Sequence, residues 1–116
     1  MIGIDIVSIE RIEKLYTKWG EKALEKFLNP KEIKLVKKPA SIAGFWAAKE
    51  AASKAIGTGI GKGCSFYDIK LDKLPSGQPI IKYSKKIRKK YKIKSSHLTI
   101  SHDSGMAVAV VVNTYK

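Results

Sequence analysis

Two carboxylates and an ammonium stand in this chain where charge is expensive. Asp5 interrupts the apolar stretch GIDIV at residues 3–7, and carboxylates are depleted from strand interiors. Glu50 and Lys54 lie one helical turn apart in the run Gly44–Gly61, GFWAAKEAASKAIGTGIG. A helix that is Ala, Ile, Phe and Trp around its circumference is buried, and buried charge must be paired or metal-bound. Position alone leaves two readings of Asp5 open: a residue reaching solvent or capping the next helix, or a functional carboxylate. The plain reading of Glu50 and Lys54 is an i,i+4 pair on a solvated stripe with Lys49 and Ser53 beside it. The surrounding alanines leave little room for such a stripe. Asp5 and Glu50, from different elements, can instead share a hard cation. Magnesium takes one or two carboxylates, keeps waters and completes its shell with substrate phosphates. An ammonium such as Lys54 then assists charge on a phosphoryl group.

Other candidate groups carry weaker signals. The glycines of Gly57-Thr58-Gly59-Ile60-Gly61-Lys62-Gly63 follow a helix instead of preceding one, and no Lys-Ser/Thr comes after them. They read as a helix stop and turn and not as a nucleotide loop, with exposed amides available to touch a phosphate. His102 ends a strand in the hydrogen-bonding setting Ser101-His102-Asp103-Ser104; His97 has no such company and receives no role. Cys64, the single cysteine, excludes an internal disulfide and a cysteine-based zinc site and reads as an inert filler.

These groups need elements to hold them. The 116 residues suit one domain, 1–116, with a real core. A strand over Ile2–Val7 is followed by Ser8 as an N-cap with Glu10 in the first turn, then a helix to about Gly20. Ile12, Leu15, Tyr16 and Trp19 form its expected apolar stripe, and Arg11, Lys14 and Lys18 fall together on another face. Short helices follow over about Glu21–Leu28 and, from an Asn29-Pro30 cap, to about Lys37. Pro39 opens the long helix, which stops at Gly57. Strands are expected at Phe66–Asp72, Ile80–Tyr83, His97–His102 and Met106–Thr114, with a basic helix over Ser84–Lys92. The last strand is apolar on both faces, as a central strand is. The fold class is α+β, with helices early and a mainly antiparallel sheet late.

Charge is unevenly spread. Lys and Arg number 23 against 10 Asp and Glu, a net +13, and residues 1–28 are neutral, so the excess lies in 29–116. Lys82–Lys94, KYSKKIRKKYKIK, holds eight basic residues and no acid. Such a field attracts polyanions. Interleaved Tyr83 and Tyr91 raise a rival reading, a nucleic-acid-binding module. That reading leaves Asp5 and Glu50 unexplained, because carboxylates repel phosphates without a metal, so a nucleic-acid partner is not favoured. No apolar run reaches membrane-spanning length and MIGIDIVSIE is no signal peptide, so a cytoplasmic protein with no membrane partner is expected.

Five segments in order along the chain carry a resemblance: GIDIVSIERI at 3–12, WAAKEAASKAIGTGIG at 46–61, SFYDIKL, GQP at 77–79 and ISH at 100–102. The chain resembles the holo-acyl-carrier-protein synthases, the short class of 4′-phosphopantetheinyl transferases. The resemblance implies a single transferase domain that moves the phosphopantetheine arm of coenzyme A onto a serine of apo acyl carrier protein, releasing adenosine 3′,5′-bisphosphate. It implies magnesium held by Asp5 and Glu50, and Lys54 on the leaving phosphate, with Glu50 and Lys54 catalytic. Lys54, Gly57, Gly77, Pro79 and His102 would line the coenzyme A. Arg11, with Lys14 and Lys18, would meet the acidic carrier helix, and three copies would assemble with sites between them. The family usually carries Arg-Phe where this chain has Phe45-Trp46, so a phosphate or carrier contact is expected to pass to neighbours such as Lys49 or Lys62. Asp103, an acid in place of a small or neutral residue, is not expected to hold the adenosine end.

Overall fold

The computed structural model describes residues 1–116. The element order is β1 (Ile2–Ser8), α1 (Ile9–Trp19), α2 (Glu21–Glu25), α3 (Pro30–Leu35), α4 (Pro39–Ala55), a 3₁₀ turn (Phe66–Asp68), β2 (Ile69–Lys73), β3 (Pro79–Tyr83), α5 (Lys85–Tyr91), β4 (Ile93–Asp103) and β5 (Met106–Tyr115). The expected α+β class and order hold. Local chemistry explains the boundaries. Ser8 accepts from the N–H of Arg11 and starts α1. Asn29 and Glu32 form a reciprocal capping box ahead of Pro30 at the first helical position.

β1, β5 and β4 form an antiparallel sheet with β5 in the centre, and β2 pairs with β3 as a separate hairpin. The central place of β5 follows from its apolar residues on both faces. Ser104 and Gly105, both at positive φ, turn β4 into β5 in two residues. α4 lies across one face of this sheet and buries nearly its whole circumference, with Ala43, Ala47, Ala48, Ala51 and Ala52 at 0 % exposure. Small side chains on both partners permit the close approach: Ala107 and Ala109 of β5 are fully buried too. Gly3 makes it possible on β1. A Cβ there would meet the Ala51 carbonyl oxygen and lie 2.6 Å from the Ala55 nitrogen, both of them backbone atoms. Gly3→Ala must therefore pry β1 off α4. We expect a stability loss of about 3 kcal/mol in a urea melt, with activity lost in parallel because Asp5 sits two residues on.

No helix is long and apolar enough to cross a membrane. The sheet face away from α4 is apolar and open: Ile2, Ile4 and Ile6 are 70 %, 59 % and 59 % exposed and Val112 is 39 % exposed.

Several local expectations are corrected. Phe66–Asp68 is a 3₁₀ turn and not strand, because the Asp68 carboxylate takes the N–H and hydroxyl of Ser65 and closes a capping box. Tyr16 and Trp19 are exposed and only Ile12 of the α1 stripe is buried; Trp19 lies beneath the ammonium groups of Lys18 and Lys26. The second and third helices stop at Glu25 and Leu35, short of Leu28 and Lys37. β4 begins at Ile93, four residues before the expected start, because the long β5 keeps pairing with it past His97 as far as Tyr115.

Candidate active site

Asp5 faces α4, since its neighbours in the strand alternation, Gly3 and Val7, lie against the core. It meets Lys54 there. The Lys54 ammonium donates to Asp5 Oδ1 at 2.8 Å and to the Ile4 carbonyl at 3.3 Å. Asp5 is largely enclosed, at 13 % side-chain exposure, whereas Lys54 is 52 % exposed and keeps donor capacity on its open side. Lys54 thus pairs with Asp5, and the i,i+4 Glu50–Lys54 ion pair of the plain reading does not form. Asp5 neither reaches open solvent nor caps α1, whose cap is Ser8.

Glu50 joins the same cluster. Its carboxyl is raised above the ordinary carboxylate range, first by burial and then by the Asp5 charge, while Lys54 and Arg11 pull it back down. Two carboxylates close enough to repel one another form a site that a divalent cation relieves. No group of three His, Cys, Asp or Glu gathers anywhere in the chain. Two hard oxygen donors and no third ligand suit magnesium, which fills its remaining positions from water and phosphate, and do not suit zinc. The donor set therefore fits the ion that the resemblance implies, with Asp5 and Glu50 as its holders.

Arg11 links this cluster to the surface. Its guanidinium lies 5.9 Å from the Trp46 ring centre, and Trp46 packs edge-on against Phe27. Arg11, Lys14 and Lys18 line an open groove of about 560 Å³ along α1, with Trp19 at its end. Lys14 also pairs with Glu10 at 3.0 Å, an exposed contact worth little. The clustering expected from helical spacing is present. Trp19 is an addition: an exposed tryptophan beside lysines signals a contact surface, and the stripe reading hid it.

His102 lies on the same sheet face as Asp5, opposite Ala107, which in turn pairs with Val7. That places it two strands over and two residues along, roughly 12 Å away. It is exposed and makes none of the hydrogen bonds that its Ser-Asp-Ser setting offers. Gly77, at φ 91°, lies in the β2–β3 turn and Pro79 opens β3, both in the other sheet. Gly57 gives its N–H to the Lys54 carbonyl, and the N–H groups of Thr58 and Gly59 both reach the Ser53 carbonyl at 3.2 Å. Gly61 donates to Cys64. The first three amides cap α4 and the fourth closes a turn, so the expectation that they stand free for a phosphate is corrected for those four. Cys64 is fully buried, and burial pushes its thiol up to about 11, in keeping with an inert filler.

Lys49 is also corrected. It is fully buried and cannot take over a phosphate contact. Its ammonium donates to Glu32 Oε1 at 2.7 Å and to the Phe66 carbonyl at 3.0 Å. Glu32 Oε2 accepts from the Leu71 N–H at 2.7 Å, so this carboxylate ties α3, α4 and β2 together. The capping pattern Asn29-Pro30-Lys31-Glu32 gives Glu32 a local role in the sequence. Nothing local announces its partnership with Lys49, 17 residues away.

The chain and its fold have relatives. The family described as 4′-phosphopantetheinyl transferase superfamily matches residues 1–111, and the chain belongs to it. It is similar to a protein named holo-[acyl-carrier-protein] synthase from Aliarcobacter butzleri, 68 % identical over 116 residues, covering 100 % of this chain and 98 % of that one. Among solved structures, the holo-[acyl-carrier-protein] synthase of Helicobacter pylori in complex with coenzyme A aligns at TM-score 0.95 and 54 % identity, covering 98 % of this chain and 100 % of that one. That of Bacillus anthracis, with coenzyme A (3′,5′-ADP), aligns at TM-score 0.82 and 40 % identity over 99 % and 96 % of the chains. The chain is accordingly an enzyme of the phosphopantetheinyl transferase class.

Proposed function

We propose that this enzyme transfers the 4′-phosphopantetheine arm of coenzyme A to a serine of apo acyl carrier protein in the cytoplasm, with magnesium, releasing adenosine 3′,5′-bisphosphate. The observation that carries the reading is the convergence of Asp5, Glu50 and Lys54 where β1 meets α4. Magnesium, when bound by Asp5 and Glu50, would offset the pyrophosphate charge and polarise its phosphorus–oxygen bonds. The chain's own groups do the rest. The serine hydroxyl attacks the phosphorus bearing the pantetheine arm and a new phosphorus–oxygen bond forms. The bond from that phosphorus to the bridging oxygen breaks, and its electron pair leaves with the adenosine bisphosphate. Glu50, beside the attacking hydroxyl, takes the serine proton. Lys54, anchored on one side by Asp5 and open on the other, donates to the departing phosphate.

Arg11, Lys14 and Lys18 on the α1 groove would receive the acidic carrier. Arg11→Glu is expected to raise the KM for carrier protein at least tenfold with little change in the KM for coenzyme A; equal effects on both would overturn the docking role. Gly77, Pro79 and His102 are assigned to the coenzyme A with support from the resemblance alone. The exposed Ile2, Ile4 and Ile6 face supports association of copies, of which the resemblance implies three with sites between them. Light scattering is expected to give three times the 12.9 kDa chain mass. The deciding experiment for the reaction is mass spectrometry of apo carrier protein incubated with coenzyme A, magnesium and the enzyme. A gain of one phosphopantetheine confirms the transfer, and an unchanged carrier mass refutes it.

A further inference from the structure

The basic run Lys82–Lys94 supplies none of the groups assigned above to the transfer. It builds one side of a cavity of about 690 Å³, the size of a small-molecule site. Lys82, Arg88 and Lys94 come from the run, and Lys31, Lys34 and Lys70 approach from α3 and β2. One carboxylate, Asp72, lines the same space. None of the six cations takes part in any of the four ion pairs of the chain. The Arg88 Nε is buried without a hydrogen-bond partner, a donor left for something the protein does not supply. Between the charges, Leu35, Ile80 and Ile93 give an apolar floor, and Ser95 and Ser96 stand at one edge.

The cavity is remote from the Asp5 cluster. Ser96 pairs with Asn113 of β5, and Asp5 pairs with Ala109, four residues back along the same strand. Four residues of strand are roughly 14 Å before any sideways offset. Neither interleaved tyrosine is a stacking platform for single-stranded nucleic acid. Tyr83 is 1 % exposed and donates its hydroxyl to the Ala52 carbonyl at 2.8 Å, and Tyr91 is half-buried. A concave space with charge on its walls and an apolar floor suits a small ligand and not a polymer lying along a surface.

We propose that this cavity binds a nucleoside phosphate carrying two or more phosphate groups, at a site separate from Asp5, Glu50 and Lys54 and without a divalent cation. The phosphates meet Arg88 and the lysines, and the base lies on Leu35, Ile80 and Ile93.

The test is calorimetric titration of the full chain with adenosine diphosphate in the presence of EDTA. Wild-type protein is expected to bind, and Lys54→Gln, which removes the phosphate donor of the transfer site, to bind equally well. Arg88→Gln is expected to weaken binding at least tenfold. The pair Lys82→Ala/Lys94→Ala, at exposed positions with no folding role, is expected to do the same while leaving coenzyme A turnover unchanged. Three results would overturn the proposal: no heat of binding at low salt, loss of binding in Lys54→Gln equal to that in Arg88→Gln, or tight oligonucleotide binding that adenosine diphosphate does not displace. The first leaves the cavity without a ligand of this class, the second moves the nucleotide to the transfer site, and the third makes the basic run a nucleic-acid surface. Each is independent of whether the arm transfer itself is observed.

Discussion

Glu50→Gln is expected to lower arm transfer by about 10²–10⁴-fold, the loss that follows removal of a positioned proton acceptor. Asp5→Ala should fall as far, and both variants should lose magnesium-dependent binding of coenzyme A. Steady-state transfer to apo carrier protein and calorimetry with magnesium check the two effects separately. Wild-type rates in both variants would end the metal-site reading. The pH dependence follows from the direction of the Glu50 shift. Burial and Asp5 hold the folded carboxyl above its ordinary value. As pH rises through the ordinary carboxylate range, Glu50 ionises in the unfolded chain before it does in the folded one. The folded state then binds more protons, so ionising Glu50 costs stability as pH rises. Added magnesium should remove that cost, and an NMR titration should place Glu50 lower with the ion than without it. Asp5→Asn should lower the metal-free Glu50 titration as well, since it deletes the like charge and frees Lys54.

The largest stability effect is expected from the buried pair away from the chemistry. Glu32→Ala leaves the Lys49 ammonium at 0 % exposure with no counter-charge and strips the Leu71 N–H of its acceptor. Burial already pulls the Lys49 amine below its ordinary value, and Glu32 is what opposes that pull. Breaking such a pair costs about 3–5 kcal/mol, a large share of the stability of a chain this size. Urea unfolding measures it. Glu32→Met with Lys49→Met should be markedly more stable than either single variant, because no lone charge is then buried. Transfer activity should follow stability and not fall further, unless the pair also fixes the rotation of α4 that aims Glu50. A double variant that folds well but works poorly would reveal that positioning role.

Lys49 and Glu50 are neighbours in the chain with opposite fates. The helical turn between successive residues, about 100°, sends Glu50 toward β1 and Lys49 toward α3 and β2. The sequence placed both in a helix too apolar for charge, and for both the demand for a partner was legible there. Which partner each found was not. Lys54 looked bound to Glu50 by spacing, yet Asp5 lies closer in space because Gly3 lets β1 settle on α4.

What the sequence by itself determined was mostly local or compositional. Proline and serine caps marked the helix starts, the two-sided apolar strand marked β5 as central, and the awkward charges marked the site. Local hydrogen-bonding chemistry and hydrophobic periodicity act over a few residues, so one chain suffices to read them. Tertiary structure alone decided the Asp5–Lys54 and Glu32–Lys49 pairs, the exposure of Trp19, the 3₁₀ turn at Phe66 and the gathering of six cations around one cavity. Those outcomes depend on which surfaces meet when α4 packs on the sheet, and residues tens of positions apart carry no local trace of one another before they touch.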